Sequence, residues 1–241
     1  MIKSYFSHLY NNIILDCRKY MPTLFEHNPK AKLLDCGCWD GTNTIKYGNL
    51  IGTQDLYGIE IHRKSLIEAK KKGIKAKPGN LNEKLPFQDN TFDVVVAYHV
   101  IEHLVNVRSF VSEIHRVLKK GGYVVIGTPN LASWHNIFAL LIGIQPFSGP
   151  TIYPNYKSSI SMVKDLNLKR NKEVFSDYKS KSLEHIKIMT TKALVNLLKG
   201  NKFKIENIRG FGYYPLPHLI SKFFSKLDSS HSHYIILKAR K

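Results

Sequence analysis

Acid is the scarcest chemistry in this sequence: 18 Asp and Glu stand against 36 Lys and Arg, a formal charge of +18. A field of that sign disfavours cationic partners and favours anionic ones, such as nucleic acid, phosphorylated molecules or a membrane surface. The same Lys-, Asn-, Ile- and Tyr-rich mix also arises from AT-rich coding without any functional demand. Cysteine is nearly absent, with three residues, Cys17, Cys36 and Cys38, and no C-x-x-C pair. That excludes a disulfide-stapled scaffold and an ordinary structural zinc site, and makes a reducing interior the default. Long hydrophobic runs are missing too. The longest, Ile137 to Ile144, falls far short of the roughly 20 residues a spanning helix needs. The first residues, "MIKSYFSHLYNNIILDCRKYM", hold no signal-peptide core. A soluble, cytoplasmic protein is expected.

What is present is a conventional core. Hydrophobic residues make up 43% of 241 positions, enough for one sizeable α/β domain. Residues 1–28 read as an amphipathic helical lead-in carrying Leu9, Ile13 and Leu24, closed by Asn28-Pro29. Over 29–128, strands and helices then alternate. "KLLDCG", "DLYGIEI", "IKAK", "FDVVVAY" and "YVVIGT" read as strands; "NTIKYGNLI", "HRKSLIEAKKKG" and "NVRSFVSEIHRVLKKGG" read as helices, the last two stopped by glycine. The near-continuous apolar run of "FDVVVAY" suits a parallel strand covered on both faces. The alternation predicts a doubly wound, mostly parallel sheet with its ligands at the carboxyl ends of the strands. From 129 to 187 the pattern breaks, and this stretch is expected to form an inserted helical cap. Residues 188–241 then complete the core with a helix over 190–199 and the strands "KFKIENIRG" and "HYIILKAR".

The stretch "LLDCGCWDG" places an acid, Asp35, at the end of a buried strand, with Gly37 and Gly41 behind it. Their G-x-x-x-G spacing fails the dinucleotide fingerprint. Glu60 ends the second strand, where an acid can bind both hydroxyls of a ribose. The third strand leads to Gly79-Asn80-Leu81, and the fourth to "AYHVIEHL".

With these motifs in this order, residues 30–130 closely resemble the class I S-adenosylmethionine-dependent methyltransferases, specifically the type 11/type 23 methyltransferase-domain group; the region from His185 onward resembles it more weakly. The resemblance implies a seven-stranded sheet with its last strand antiparallel, and S-adenosylmethionine as cofactor. It implies that Asp35 and Gly37 line the amino-acid part of the cofactor, that Gly41 helps the turn into the first core helix, and that Glu60 holds the ribose. Asn80 stands where the pattern usually has Asp, with its amide oxygen able to accept from the adenine amino group; the backbone of Leu81 would meet the adenine edge. Tyr98 and His99 would lie beside the methyl donor. Trp39 departs from the pattern: it replaces the middle glycine of D-x-G-x-G-x-G, where it would point outward, stack at the pocket rim or crowd the cofactor.

Methyl transfer from a sulfonium is an in-line displacement, so alignment in a dry pocket supplies much of the acceleration, and a hydroxyl acceptor also gains from a base. His99 is the first candidate for that base and His185 the second. The spacing H-x-x-E-H over His99, Glu102 and His103 matches an inverted zincin pattern, but it straddles a strand end and a turn rather than a continuous helix. Glu102 and His103 are expected to orient that turn and cap the following helix, and no metal site is assigned. There is no [DN]PP[YF] motif after the fourth strand and no cysteine beside it, which disfavours base-amino and cytosine-C5 methylation of nucleic acid. The leading expectation is methylation, at oxygen, of a small-molecule, glycan or lipid-linked acceptor. The alternatives are an RNA-directed enzyme and a non-catalytic methyltransferase-like binding module. In "YYPLPHLISKFFSKL", Leu216, Leu219, Ile220, Phe223, Phe224 and Leu227 fall on one helical face with Lys222 and Lys226 off it. Such a stripe ordinarily packs on the core or forms part of a lid; its other use is to lie on an anionic membrane.

Overall fold

Leu33 and Leu34 follow one another on the first strand, both wholly buried but in opposite halves of the core. The computed structural model describes residues 2–150 and 185–241. A helix, α1 (Ile2–Tyr20), leads through a short 3-10 turn into β1 (Lys32–Cys36), α2 (Thr42–Ile51), β2 (Asp55–Glu60), α3 (Arg63–Lys71), β3 (Lys75–Pro78), β4 (Phe92–Tyr98), α4 (Val107–Val117) and β5 (Leu118–Pro129). Then come α5 (Trp134–Leu141), α6 (Thr191–Gly200), β6 (Lys204–Phe211), α7 (His218–Leu227) and β7 (Tyr234–Arg240). The strands form one seven-stranded sheet in the order β3-β2-β1-β4-β5-β7-β6. β1 to β5 pair in parallel, and β7 runs antiparallel to both of its neighbours.

Period-two alternation sorts the side chains between the two faces. Val94 and Val96 face the helices α1, α2 and α3, with Ile13, Cys17, Ile51 and Leu66. Val95 and Ala97 face α4 and α6, with Phe110, Ile114, Leu194 and Leu198. Both faces of β4 are therefore dry, as its apolar run predicts. Cys17, Cys36 and Cys38 are buried free thiols.

Two expectations change. "LKKGG" was expected to finish α4, but the helix stops at Val117 and β5 begins at Leu118. Leu118 is wholly buried and pairs with Phe92 before the register jumps to Val94 and Tyr123, so the glycines lie in an irregular stretch of strand. α4 is capped by Asn106, whose side chain accepts from Ser109 N, and not by Glu102 or His103. Of the expected cap over 129–187, α5 is the described helix; 151–184 lie outside the described residues. No helix among the described residues is long and apolar enough to cross a membrane.

Candidate functional site

The carboxyl ends of β1 and β2 are tied together by backbone. Gly37 N and Cys38 N both donate to the carbonyl of Ile59, at 2.9 and 3.1 Å. This pulls the loop after β1 over the end of β2, with Gly37 in the left-handed region at φ 76°. A Cβ there would stand 2.8 Å from Val100, so glycine is required on both conformational and steric grounds. Beside it, Glu60 is almost fully buried. Its Oε2 accepts from Trp39 N at 2.9 Å and its Oε1 from His62 N at 2.7 Å. Two backbone donors fix the carboxylate's plane, and each oxygen keeps a further lone pair.

Trp39 occupies the left-handed region, φ 49°, which explains why the resembled pattern has glycine there. The L-residue costs about 1–2 kcal/mol in that conformation. Its indole is half-buried and meets the ring of His62 edge-on, centroids 5.4 Å apart. The side chain therefore packs edge-on against His62. The backbone N–H it supplies to Glu60 is one that any residue would supply.

Asp35 is buried and accepts from Thr44 Oγ1 at 2.6 Å. Burial pushes its carboxyl up to about 7; the Thr44 hydrogen bond opposes the shift and the nearby Glu60 adds to it. Asn80 folds back on its own loop. Its Oδ1 accepts from Asn82 N and Nδ2, at 3.0 and 3.1 Å, while its Nδ2 donates to Glu83. Leu81 packs against the core. Asn82, which the sequence reading passed over, ties this loop to the next one, its Oδ1 accepting from Val105 N and Asn106 N.

Across the sheet the chemistry is imidazole. Tyr98 ends β4 against Gly127, where a Cβ would lie 2.3 Å from its ring. His99 follows in the left-handed region, φ 54°, a strained position for a non-glycine residue. His99 Nδ1 lies 3.1 Å from Oε1 of the wholly buried Glu102, and Thr128 Oγ1 donates to the other oxygen at 3.0 Å. Burial alone would raise the Glu102 carboxyl, but His99, His103 and His185 together hold it below the ordinary range. A carboxylate only accepts, so it is His99 Nδ1 that donates in this pair. Ile186 N and Lys187 N both donate to the Glu102 carbonyl, which brings His185 to the same place from 83 positions downstream. His103 and His185 rings are 5.1 Å apart, and Glu102, His103 and His185 each offer a ligand atom within 4.8 Å of the others. The sequence reading grouped His99 rather than His185 with that pair and assigned no metal, because only the fold joins positions so far apart.

A second, half-buried imidazole pair was not foreseen. His233 Nδ1 lies 3.0 Å from His135 Nε2, in a box with Tyr214 and Phe147. Desolvation takes His135 down to about 4.

Residues 34–126 match the family described as "Methyltransferase domain". Over that span the chain is similar to the class I S-adenosylmethionine-dependent methyltransferases. It is 33% identical over 114 residues to an uncharacterised methyltransferase of Schizosaccharomyces pombe, covering 42% of this chain and 41% of that protein. It is 31% identical over 121 residues to the mitochondrial ubiquinone biosynthesis O-methyltransferase of Rattus norvegicus, covering 47% of this chain and 35% of that one. Both matches span under half the length of those relatives. The crystal structure of an S-adenosylmethionine-dependent methyltransferase from Mesorhizobium loti shares the fold, with a TM-score of 0.60 over 92% of this chain and 96% of that one, at 16% identity.

The residues present fit the family's cofactor. Gly37 leaves a cradle that a Cβ would fill. Glu60 presents a fixed carboxylate to a diol, and Asp35 an acid that a nearby cation would ionise. In this family Asp35 and Gly37 would hold the amino-acid end, Glu60 the ribose, and the Asn80–Leu81 loop the adenine. When bound, the cofactor supplies an electrophilic methyl group on a sulfonium.

Proposed function

We propose that this protein transfers a methyl group from S-adenosylmethionine to an oxygen of an apolar small-molecule or lipid-linked acceptor. The observation that carries the oxygen assignment is the Glu102–His99 pair: a buried carboxylate fixes one imidazole nitrogen as donor and leaves the other free to accept a proton. In this reading His99 Nε2 would take the proton of the acceptor hydroxyl, while the bound cofactor would supply the methyl group from its sulfonium and leave as the neutral thioether. Glu102 holds the ring's tautomer and stabilises the imidazolium. Thr128 keeps Glu102 oriented. Tyr98 and Tyr234 meet the His99 ring edge-on, centroids 4.5 and 5.1 Å away, and keep water from its sides. The rat relative named as an O-methyltransferase in ubiquinone biosynthesis supports an oxygen acceptor of apolar character.

A second element of this reading comes from His185. Its Nδ1 lies 2.6 Å from the carbonyl of Ser148, so Nδ1 is protonated and Nε2 is left as the available ligand atom. A histidine held by a backbone carbonyl in this way is the usual outer arrangement of a metal ligand. Glu102, His103 and His185 would hold a divalent cation, which would lower the pKa of an acceptor hydroxyl.

Calorimetric titration with S-adenosylmethionine and S-adenosylhomocysteine, on the wild type and Glu60→Ala, tests the cofactor half. Micromolar binding to the wild type and none to the variant is expected. Failure of both ligands to bind the wild type would overturn the enzymatic reading in favour of a methyltransferase-like binding module.

A further inference from the structure

α7 is built inside out. Ser221 and Ser225, one turn apart, face the protein and are almost fully buried, while Leu219, Phe223 and Leu227 on the opposite face are 80%, 59% and 69% exposed. Ile220 and Phe224 widen that outer stripe. The serines explain how the helix stays attached: Tyr213 N donates to Ser221 Oγ at 2.7 Å, and Ser225 Oγ donates to the Ser221 carbonyl. At the helix start, His218 Nε2 lies 2.8 Å from Asp16 of α1. Small polar residues thus do the packing, and the apolar stripe is left bare. Among the described residues the stripe therefore does not pack on the core. A contiguous exposed apolar surface of this kind marks an interaction site.

The neighbouring elements extend the patch. Tyr5 and Phe6 of α1 are exposed beside the start of α7, with Tyr5 Oη donating to the Pro215 carbonyl and Phe6 against Tyr214. Trp134, half-exposed at the start of α5, stacks on His231 just beyond α7, and Phe138 and Leu141 of α5 are open to solvent. Charge decides what can cover it. Residues 130–150 contain no Asp or Glu, nor do residues 211–227, whereas Lys222 and Lys226 sit along one edge of the α7 stripe. On that edge a cleft of about 200 Å³ runs between α1, β6 and α7, lined by Lys19, Thr23, Arg209, His218 and Lys222, together with Asp16. Asp16 is spanned by His218 and Lys222. Arg209 lies over the ring of Tyr20, and its Nε has no hydrogen-bond partner among the described residues.

We propose that this face docks on an anionic phospholipid bilayer, with the α7 stripe entering the acyl boundary and the Lys19–Arg209–Lys222 cleft receiving a lipid phosphate. An acid-free apolar stripe with lysines on its rim is the composition of an interfacial helix. A net charge of +18 draws the chain to such a surface before any apolar contact forms. A protein partner would have to match both a bare apolar stripe and a one-signed basic rim; an anionic bilayer supplies both at once. This docking does not depend on the methyl-transfer reading, and its test involves no turnover.

The test is flotation with vesicles of phosphatidylcholine alone and of phosphatidylcholine with about a third phosphatidylglycerol, at low and at physiological salt. Wild type is expected to float with the anionic vesicles at least about tenfold more tightly than with the neutral ones, and less well as salt rises. Phe223→Ser/Leu227→Ser alters only exposed side chains and should keep the wild-type melting temperature while losing about tenfold in vesicle affinity. Lys222→Glu/Lys226→Glu should lose the preference for anionic lipid. Absence of flotation with anionic vesicles at low salt overturns the proposal, as does equal flotation of the Phe223→Ser/Leu227→Ser protein. Light scattering supplies a third check: a wild-type dimer that this double variant dissolves, with no lipid binding, would assign the face to a second copy of the chain.

Discussion

The two ends of the site are built by opposite means. On the cofactor side, Asp35, Gly37, Trp39 and Glu60 lie within 26 consecutive positions, and the loops are stitched by backbone N–H groups to Ile59 and Glu60. On the far side, Glu102, Thr128, Ser148 and His185 come from four separate parts of the chain: Thr128 reaches Glu102 side chain to side chain, and His185 is held by the carbonyls of Ser148 and, through Ile186 and Lys187, of Glu102. The first arrangement depends little on side-chain identity beyond two acids and one glycine, so it can be read from a short motif. The second depends on every member and exists only once the sheet has formed. In this reading cofactor recognition rests on a short local motif, and acceptor chemistry on residues that only the fold brings together.

The sharpest way to break that comparison is to remove the far side and ask whether the near side notices. His99→Ala should lower methyl-transfer turnover about 100-fold or more, the range of a general base, while the calorimetric affinity for S-adenosylmethionine stays within about threefold, because no contact of His99 reaches Glu60 or Asp35. Loss of cofactor binding in this variant would show that the two halves are not separable. Next in size is the cation reading. Titration of metal-free protein with cobalt, followed by visible absorption, should show one saturable site, weakened about 100-fold or more when His185→Ala removes one of three ligands. An unchanged cobalt affinity in His185→Ala would leave the Glu102–His103–His185 grouping without a metal.

The near side has its own titration. Asp35 is raised to about 7, so below that pH it is largely protonated in the folded chain. A cationic cofactor favours the ionised form, whose fraction grows with pH up to about 7 and then levels off. Cofactor affinity should accordingly fall by up to about tenfold per pH unit below 7 and stay flat above 8, with a proton released on binding near neutrality. The same shift has a stability consequence. A carboxyl raised above its unfolded value favours the folded state most at low pH, so its contribution declines as pH rises from about 4 to 7. A pH-independent affinity would mean that Asp35 does not sense the cofactor's charge.

How much of this was legible beforehand follows the same divide. The strand and helix order up to α4 could be read because apolar periodicity is local, and because Gly73 interrupts it where the chain turns. The start of β5 could not, because "LKKGG" has the composition of a helix end; only the pairing of Leu118 with Phe92 across the sheet makes it strand. The α7 stripe was visible as a stripe, yet periodicity does not say which side of a helix meets the protein. That was decided by Ser221, whose Oγ accepts from Tyr213 N, and by Ser225, whose hydroxyl donates to the Ser221 carbonyl, in a way no hydrophobicity pattern reports. His185 carried a weak signal, a histidine where the core pattern resumes, but nothing in the sequence joined it to Glu102.

Trp39 gives the smallest expected effect and separates conformation from contact. Its φ of 49° is costly for tryptophan and free for glycine, while the bond it donates to Glu60 comes from the backbone. Trp39→Gly should then relieve about 1 kcal/mol of left-handed strain, partly offset by the greater freedom of glycine in the unfolded chain and by the lost contact with His62. Net stability should stay within about 1 kcal/mol of wild type in a denaturant melt. Cofactor affinity should move by less than about threefold, because Glu60 keeps both of its donors. A large gain in affinity would mean that the indole crowds the cofactor. A large loss would mean that it stacks on it, and the near side would then owe its recognition to a side chain after all.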